Sequence, residues 1–298
     1  MKIYDCFQFF DEEMLLDLRL NIMDQYVDKF VITEATYMHN GKAKKLNFDI
    51  NKYSKFKDKI IYIIVDEPPP DLFEIYEKDK DEKDTRGQKL VLNGYKRDNY
   101  QREIAMKALK DIGDEDWIII NDIDEIPNLE NFNFKNTKNK LVIFKQQIFY
   151  YKFNLLYPGV WWFGSKACKR KHFISPQWLR NIKHKKYPLW RVDIIYSKRK
   201  YNNIFYVQNG GWHFTNIKSA ADIEKKLLNY THHYEFEQSG LTAIDLEKKI
   251  LEKKIIYDHG VDQREFKWGS EKKLEKINKS NMPKYLQENL KKYSNWLE

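Results

Sequence analysis

The eleven residues from Trp117 to Pro127, WIIINDIDEIP, constrain what this chain can fold into more than any other stretch. Trp117, Ile118, Ile119 and Ile120 form a short apolar run dominated by β-branched side chains. Such a run predicts a strand buried on both faces of a mostly parallel sheet. The strand then runs into acid. Asn121, Asp122, Asp124 and Glu125 follow at once, and Pro127 removes a backbone donor and ends the pairing. Open α/β sheets bind ligands at the carboxyl ends of their strands. Three carboxylates in that place are either a polar turn or a cation site. Crowding them costs mutual repulsion or a raised pKa unless a cation neutralises them, which favours the second. Asp122 and Asp124 can hold a hard divalent ion directly or through its waters, leaving positions for substrate phosphates.

With 298 residues, 42% hydrophobic and 15% aromatic, the chain can bury a large core. No apolar run approaches a bilayer span, and MKIYDCFQFFDEE carries acids where a signal peptide needs apolar residues. The expectation is a soluble, cytoplasmic protein. Cys6 and Cys168 are too few for a disulfide framework and lack zinc-ligand spacing. The formal charge of +9 is concentrated at Lys169–His172, His184–Lys186, Lys198–Lys200 and in the tail from Lys272 to Lys292. It reads as solvated surface or as a face for an anionic partner: a nucleotide diphosphate, an acidic glycan or, through peripheral membrane-surface contact, lipid headgroups. No DNA- or RNA-binding module is present, so no nucleic-acid partner is expected.

In chain order, Lys2–Phe10 reads as a first strand and Asp11 as the N-cap of a helix with Met14, Leu15, Leu18, Ile22 and Met23 at helical spacing. Phe30–Glu34 and Ile60–Val65 read as the next strands, the latter stopped by Pro68-Pro69-Pro70. Asp71–Thr85 reads as an exposed, mobile insertion, and Gly94–Ile112 as a helix carrying Arg97, Gln101 and Arg102 into the acidic strand. Arginine forks suit a diphosphate, so Arg97 and Arg102 are candidates for that contact. Beyond Pro127, Leu141–Tyr151, Trp161–Lys166, Leu189–Ser197 and Ile204–Gln208 read as aromatic-rich strands extending the sheet. Tyr150, Tyr151, Tyr157, Trp161 and Trp162 are either core or the wall of a sugar cleft. Gly210–Thr215 closes a strand in which His213 is either a core residue or a further metal ligand. Ser219–His232 and Ala243–Tyr257 read as helices, followed by a lysine-rich remainder. The expected organisation is a catalytic domain over 1–236 with a helical C-terminal extension, 237–298, packed on it.

DCFQFFDEEMLLDLRLN, FVITEA, YQREIAM, NDIDEIP and GGWHFT, in this order across most of residues 1 to 236, together resemble glycosyltransferase family 17, which includes the bisecting N-acetylglucosaminyltransferases. The resemblance implies a GT-A type α/β fold that binds a nucleotide-sugar, with a mostly parallel central sheet. It implies a UDP-sugar donor, usually UDP-N-acetylglucosamine, inversion at the anomeric carbon, Mn2+ or Mg2+, and a glycan or glycolipid acceptor. The animal members carry a membrane anchor and stem that this sequence lacks, which points to a bacterial or viral glycan pathway. Carried over by position, the resemblance assigns Asp122 and Asp124 to the metal and the donor diphosphate, and Gly211, Trp212 and His213 to the GWH element, with His213 as a metal ligand. Arg97 and Arg102 approach the diphosphate or hold the acidic loop, while Asp5 and Glu34 suit the uridine and ribose. His233-Tyr234-Glu235 resembles a further element of the family. Asp193, Glu125 and Glu235 are the candidate general bases. A metal-dependent phosphohydrolase and a non-catalytic carbohydrate- or anion-binding protein are the alternatives.

Overall fold

The computed structural model describes residues 1–80, 83–130, 132–185, 187–188, 190–260 and 267–298. Strand β1 (Ile3–Gln8) leads through helix α1 (Glu13–Met23) to β2 (Lys29–Ala35) and then β3 (Ile60–Val65). The expected N-cap, Asp11, instead pairs with Lys218, and Glu12 takes the cap position without its side chain bonding the first amides of the helix. Helix α2 (Lys83–Glu103) begins eleven residues before the glycine expected to start it. Gly94 lies inside the helix because a Cβ there would sit 3.1 Å from the Thr231 carbonyl oxygen. Of the expected insertion, residues 81 and 82 lie outside the described residues. The segment before them is tied to α2, where Asn93 bonds both the amide and the carbonyl of Phe73. β4 (Trp117–Ile120) follows, then the short β5 (Glu125–Pro127).

The aromatic region divides where a single strand was expected. β6 (Leu141–Phe144) and β7 (Gln146–Tyr150) part at Lys145 and join different sheets. β8 (Leu155–Trp162), β9 (Lys166–Lys169) and helix α3 (Pro176–Arg180) come next. The expected strand over 189–197 is replaced by the short helix α4 (Asp193–Tyr196), with Leu189 outside the described residues. β10 (Ile204–Val207) and β11 (Gly211–Thr215) precede α5 (Ala220–Asn229), α6 (His233–Ser239), α7 (Ala243–Leu251), β12 (Glu275–Lys276) and α8 (Lys284–Glu288).

The central sheet has the order β10-β6-β9-β4-β1-β2-β3, with β4, β1, β2 and β3 parallel and β9 antiparallel between β4 and β6. This is the mixed α/β fold with a largely parallel central sheet that the sequence predicts. A second sheet, β12-β8-β7-β11-β5, stands at the carboxyl end of β4. Alternation along β4 explains its composition. Trp117 and Ile119 enter one core and Ile118 and Ile120 the other, all 0–1% exposed. Each such side chain contributes about 1.5–3 kcal/mol by leaving water.

The expected boundary at residue 236 falls inside α6, where Phe236 is buried. Residues beyond it complete the body: β12 pairs with β8, and Met282, Leu286 and Tyr293 share a core with Leu16 and Leu20 of α1. Among the described residues no helix is long and apolar enough to cross a membrane.

Beneath the acidic strand end lies Arg19 of α1, fully buried. Its Nε and Nη2 donate to Asp5 of β1 at 2.8 and 2.6 Å, and Nη1 donates to the carbonyls of Asp122, Ile123 and Glu125 at 3.3, 3.3 and 2.7 Å. Asn121 Nδ2 donates to Asp5 at 2.6 Å. Arg19→Leu leaves a buried carboxylate without its counter-charge, and we expect a loss of about 3–5 kcal/mol in urea unfolding. Arg19→Leu/Asp5→Leu should recover part of it, which a double-mutant cycle reads directly.

Candidate active site

The carboxyl ends of β1, β2 and β4, together with α2, α3, α5 and the second sheet, enclose a cleft of about 990 Å³. Asp122 and Asp124 face it from the loop after β4, and His213 faces it from β11. The register of β11 requires its first glycine. Gly211 sits at φ +131° opposite Pro127, and a Cβ there would lie 2.1 Å from the Ile126 carbonyl oxygen. Phe214 N donates to the Asp124 carbonyl at 2.8 Å, which fixes the loop against β11.

Arg180, which no sequence motif marked, organises the acids. Ser175 and Pro176 start α3, with the Ser175 side chain capping Trp178 N, so Arg180 ends the helix over the acidic loop. Lys166 holds that end by donating to the carbonyls of Arg180 and Ile182. Arg180 Nη1 reaches Glu125 Oε2 at 2.6 Å, while Nη2 reaches Glu125 Oε1 at 2.8 Å and Asp122 Oδ2 at 2.6 Å. Arg102 Nη2 takes the other Asp122 oxygen at 3.1 Å and also grips Asp98. Burial works against the Glu125 charge, but Arg180 outweighs it and holds the carboxyl below its ordinary range. Burial beside Arg180 pushes Lys166 down to about 7.

Asp124 has a different set of neighbours. His213 Nε2 lies 3.7 Å from Oδ1, and Lys226 Nζ of α5 lies 3.8 Å from Oδ2. Burial would raise this carboxyl, yet His213 and then Lys226 hold it well below the usual carboxylate range. The His213 ring stacks on Trp162 with centroids 4.7 Å apart, and its Nδ1 is buried without a partner. His259 completes this wall, and burial, with His213 beside it, pushes its pKa to about 3, leaving a neutral ring.

Among the described residues no group of three or more His, Cys, Asp or Glu side chains is arranged to hold a metal. Asp124 and His213 bring a carboxylate and an imidazole within 3.7 Å of each other at the cleft, a donor pair suited to a divalent ion that takes its remaining ligands from phosphate and water. Asp122, expected as a metal ligand, has both oxygens committed to guanidinium groups.

Other expected residues lie elsewhere. Asp5 is fully buried against Arg19, mid-strand and short of the ligand end of β1. Glu34 is fully buried and accepts from Lys44, Tyr62 Oη and the amides of Asn47 and Phe48, and neither it nor Asp5 lines the cleft. Arg97 donates to the His39 carbonyl and does not line the cleft. Trp212 points to the opposite face from His213, into the core, where Nε1 bonds the Asn281 carbonyl. Glu125 lies behind the cleft wall, sealed by Arg180 and by the Trp162 Nε1 donor. Asp193 is exposed and paired with Arg191 and Lys200, away from the cleft. Glu235 pairs with His232 and faces a neighbouring hollow. Tyr151 and Tyr157 are core, while Tyr150, Trp161 and Trp162 line the cleft. Sequence reasoning missed Glu12, Lys166, Arg180, Lys226 and His259. Glu12 alone carried a signal, as an acid just past the first strand.

The profile of glycosyltransferase family 17 matches residues 1–298. No curated relative matches the chain. Solved structures similar to it include two of one protein. One is HddC from Yersinia pseudotuberculosis, at 12% identity and TM-score 0.33, over 70% of this chain and 92% of that one. The other is HddC from the same organism complexed with GMP-PN, at 10% identity and TM-score 0.33, over 70% and 90%. At that distance the likeness assigns nothing to this chain.

Replacing Arg180 by Gln leaves Glu125 buried without the guanidinium that pairs with it. We expect a loss of about 3–5 kcal/mol in the urea-unfolding free energy, and an unchanged midpoint would show that the pairing is dispensable.

Proposed function

The chain belongs to glycosyltransferase family 17. On that premise we propose that the cleft binds a UDP-sugar, N-acetylglucosamine being the sugar that the family resemblance implies, and passes it with inversion to a glycan hydroxyl. The observation that carries the reading is the meeting of Asp124 and His213 with three cations, Arg102, Arg180 and Lys226, in one cleft. Negative charge grows on a departing nucleoside diphosphate, and fixed cations in a partly dry site stabilise it without reorganising.

Asp124 and His213 would hold a manganese or magnesium ion, whose contribution when bound is Lewis-acid neutralisation of the departing diphosphate. Lys226 stands beside that pair as a second, permanent cation. The nucleoside is assigned to Gln8 and Tyr37, which line the cleft at the ends of the first two strands, in place of Asp5 and Glu34. Trp161, Trp162 and Tyr257 supply aromatic faces for sugar rings. The segment after residue 236 is then part of the catalytic unit, because Tyr257 and His259 come from it.

The general base is assigned to Glu12. Of the other carboxylates lining the cleft, Asp98 and Asp122 bond to guanidinium groups, and Asp124 faces His213 and Lys226. Glu12 lines the same cleft, with Oε2 accepting from the amides of Phe10 and Asp11. Two amide donors hold the carboxylate in place, as proton transfer requires.

The test is UDP release from a panel of UDP-sugars, with manganese and with chelator, beside a phosphate-release control. One donor should turn over only with metal, and Asp124→Ala should abolish it. Glu12→Gln should lower kcat by a factor of about 10²–10⁴ with little change in KM. Inorganic phosphate without UDP would mark a phosphohydrolase. Absence of both turnover and UDP binding would leave a binding protein.

A further inference from the structure

Outside the cleft, the densest unexplained chemistry lies in residues 183–200. These 18 residues hold seven lysines and arginines against one acid, Asp193, and so supply +6 of the chain's formal +9. That acid is spent locally, since Arg191 grips it through Nε and Nη2 at 2.8 and 2.7 Å and Lys200 at 2.6 Å. The same stretch exposes Trp190, Val192 and Tyr196. Trp190 is 79% exposed, Tyr196 84% and Val192 64%. A soluble surface gains nothing by presenting an indole, a phenol and an isopropyl group among cations, and such a grouping marks a binding face.

The segment is anchored at both ends. Lys183 N donates to the Arg199 carbonyl at 2.8 Å, Trp178 Nε1 to the Lys198 carbonyl at 2.7 Å, and Arg199 N and Lys200 N to Ser197 Oγ at 3.2 Å. It also adjoins the cleft, which Lys183 and His184 line, with the His184 ring stacked on Phe163 at 4.4 Å. Two chemistries favour this composition. Nucleic acid would use the cations and the aromatics but would find no use for Val192. A lipid interface uses all three: tryptophan and tyrosine sit at headgroup depth, aliphatic groups enter the acyl boundary, and cations meet lipid phosphates.

We propose that residues 183–200 dock the chain on an anionic lipid surface. Trp190, Val192 and Tyr196 enter the headgroup layer, and Lys183, Lys185, Lys198 and Arg199 face the lipid phosphates. Resting on the transferase reading above, the consequence is an acceptor presented at that surface, next to the mouth of the cleft.

Flotation of the full chain with vesicles tests this. Vesicles of phosphatidylcholine with about one-third phosphatidylserine should carry the chain up, neutral vesicles should not, and about 0.5 M salt should release it. Each cation near the surface is worth roughly fivefold, so Lys198→Gln/Arg199→Gln should weaken partitioning by about tenfold or more. Trp190→Ser/Tyr196→Ser should weaken it comparably while leaving the circular dichroism spectrum unchanged. No flotation with anionic vesicles, or both double variants floating like the wild type, would overturn the proposal. So would an oligonucleotide that strips the chain from vesicles at equimolar amounts, which would identify nucleic acid as the partner. Asp124→Ala should float like the wild type. A chain that floats but releases no UDP from any donor would therefore keep the docking face and lose the transferase reading.

Discussion

The site depends on one buried guanidinium. Arg19 bonds Asp5 of the first strand and the carbonyls of Asp122, Ile123 and Glu125 in the acidic loop, so the loop after β4 is held from below by a group in α1. Carbonyls drawn inward free the Asp122 and Asp124 side chains to face the cleft. A buried ion pair of this kind is weak evidence for stability, because desolvation offsets much of the Coulomb attraction. Its effect here is geometric: it fixes where the acids point.

Above the loop, the carboxylates divide into two groups by the cations that meet them. Asp122 and Glu125 are bound by Arg180, with Arg102 closing on Asp122, and this pairing answers the repulsion that three adjacent acids create. The protein thus supplies from α2 and α3 much of the positive charge that the sequence assigned to a metal. Asp124 is left to an imidazole and an ammonium that approach without a direct hydrogen bond, at 3.7 and 3.8 Å. Such a carboxylate can exchange its neighbours for a cation brought by a ligand, whereas one locked in a guanidinium fork cannot do so cheaply.

What the sequence made legible was what local pattern encodes. The apolar run of β4, the three strands before it and the strand bearing His213 all follow from short-range periodicity. The parallel order could be read from the alternation of strands and helices. Less legible were features set by distant partners. Gly94 looks like a helix start until Thr231 is seen packed against it. Leu141–Tyr151 looks like one strand, yet Lys145 passes it from one sheet to the other. Asp5 and Glu34 look like ligands because acids at strand ends so often are, and only the fold reveals Arg19, Lys44 and Tyr62 around them. Arg180 and Lys226 sit in helices whose sequences carry no motif, so their roles arise from tertiary placement alone. Trp212 and His213 are adjacent in sequence and opposite in direction, which the two-residue period of a strand dictates once the strand is placed.

Manganese binding in the presence of UDP separates a metal-holding Asp124 from a guanidinium-held Asp122. Free Mn2+ can be followed by electron paramagnetic resonance as wild type, Asp124→Ala and Asp122→Asn are titrated with saturating UDP. One ion should bind jointly with UDP to the wild type, none to Asp124→Ala, and one again to Asp122→Asn. Loss of the ion in Asp122→Asn with retention in Asp124→Ala would overturn this division of the carboxylates and return the metal to the one that the guanidinium groups hold.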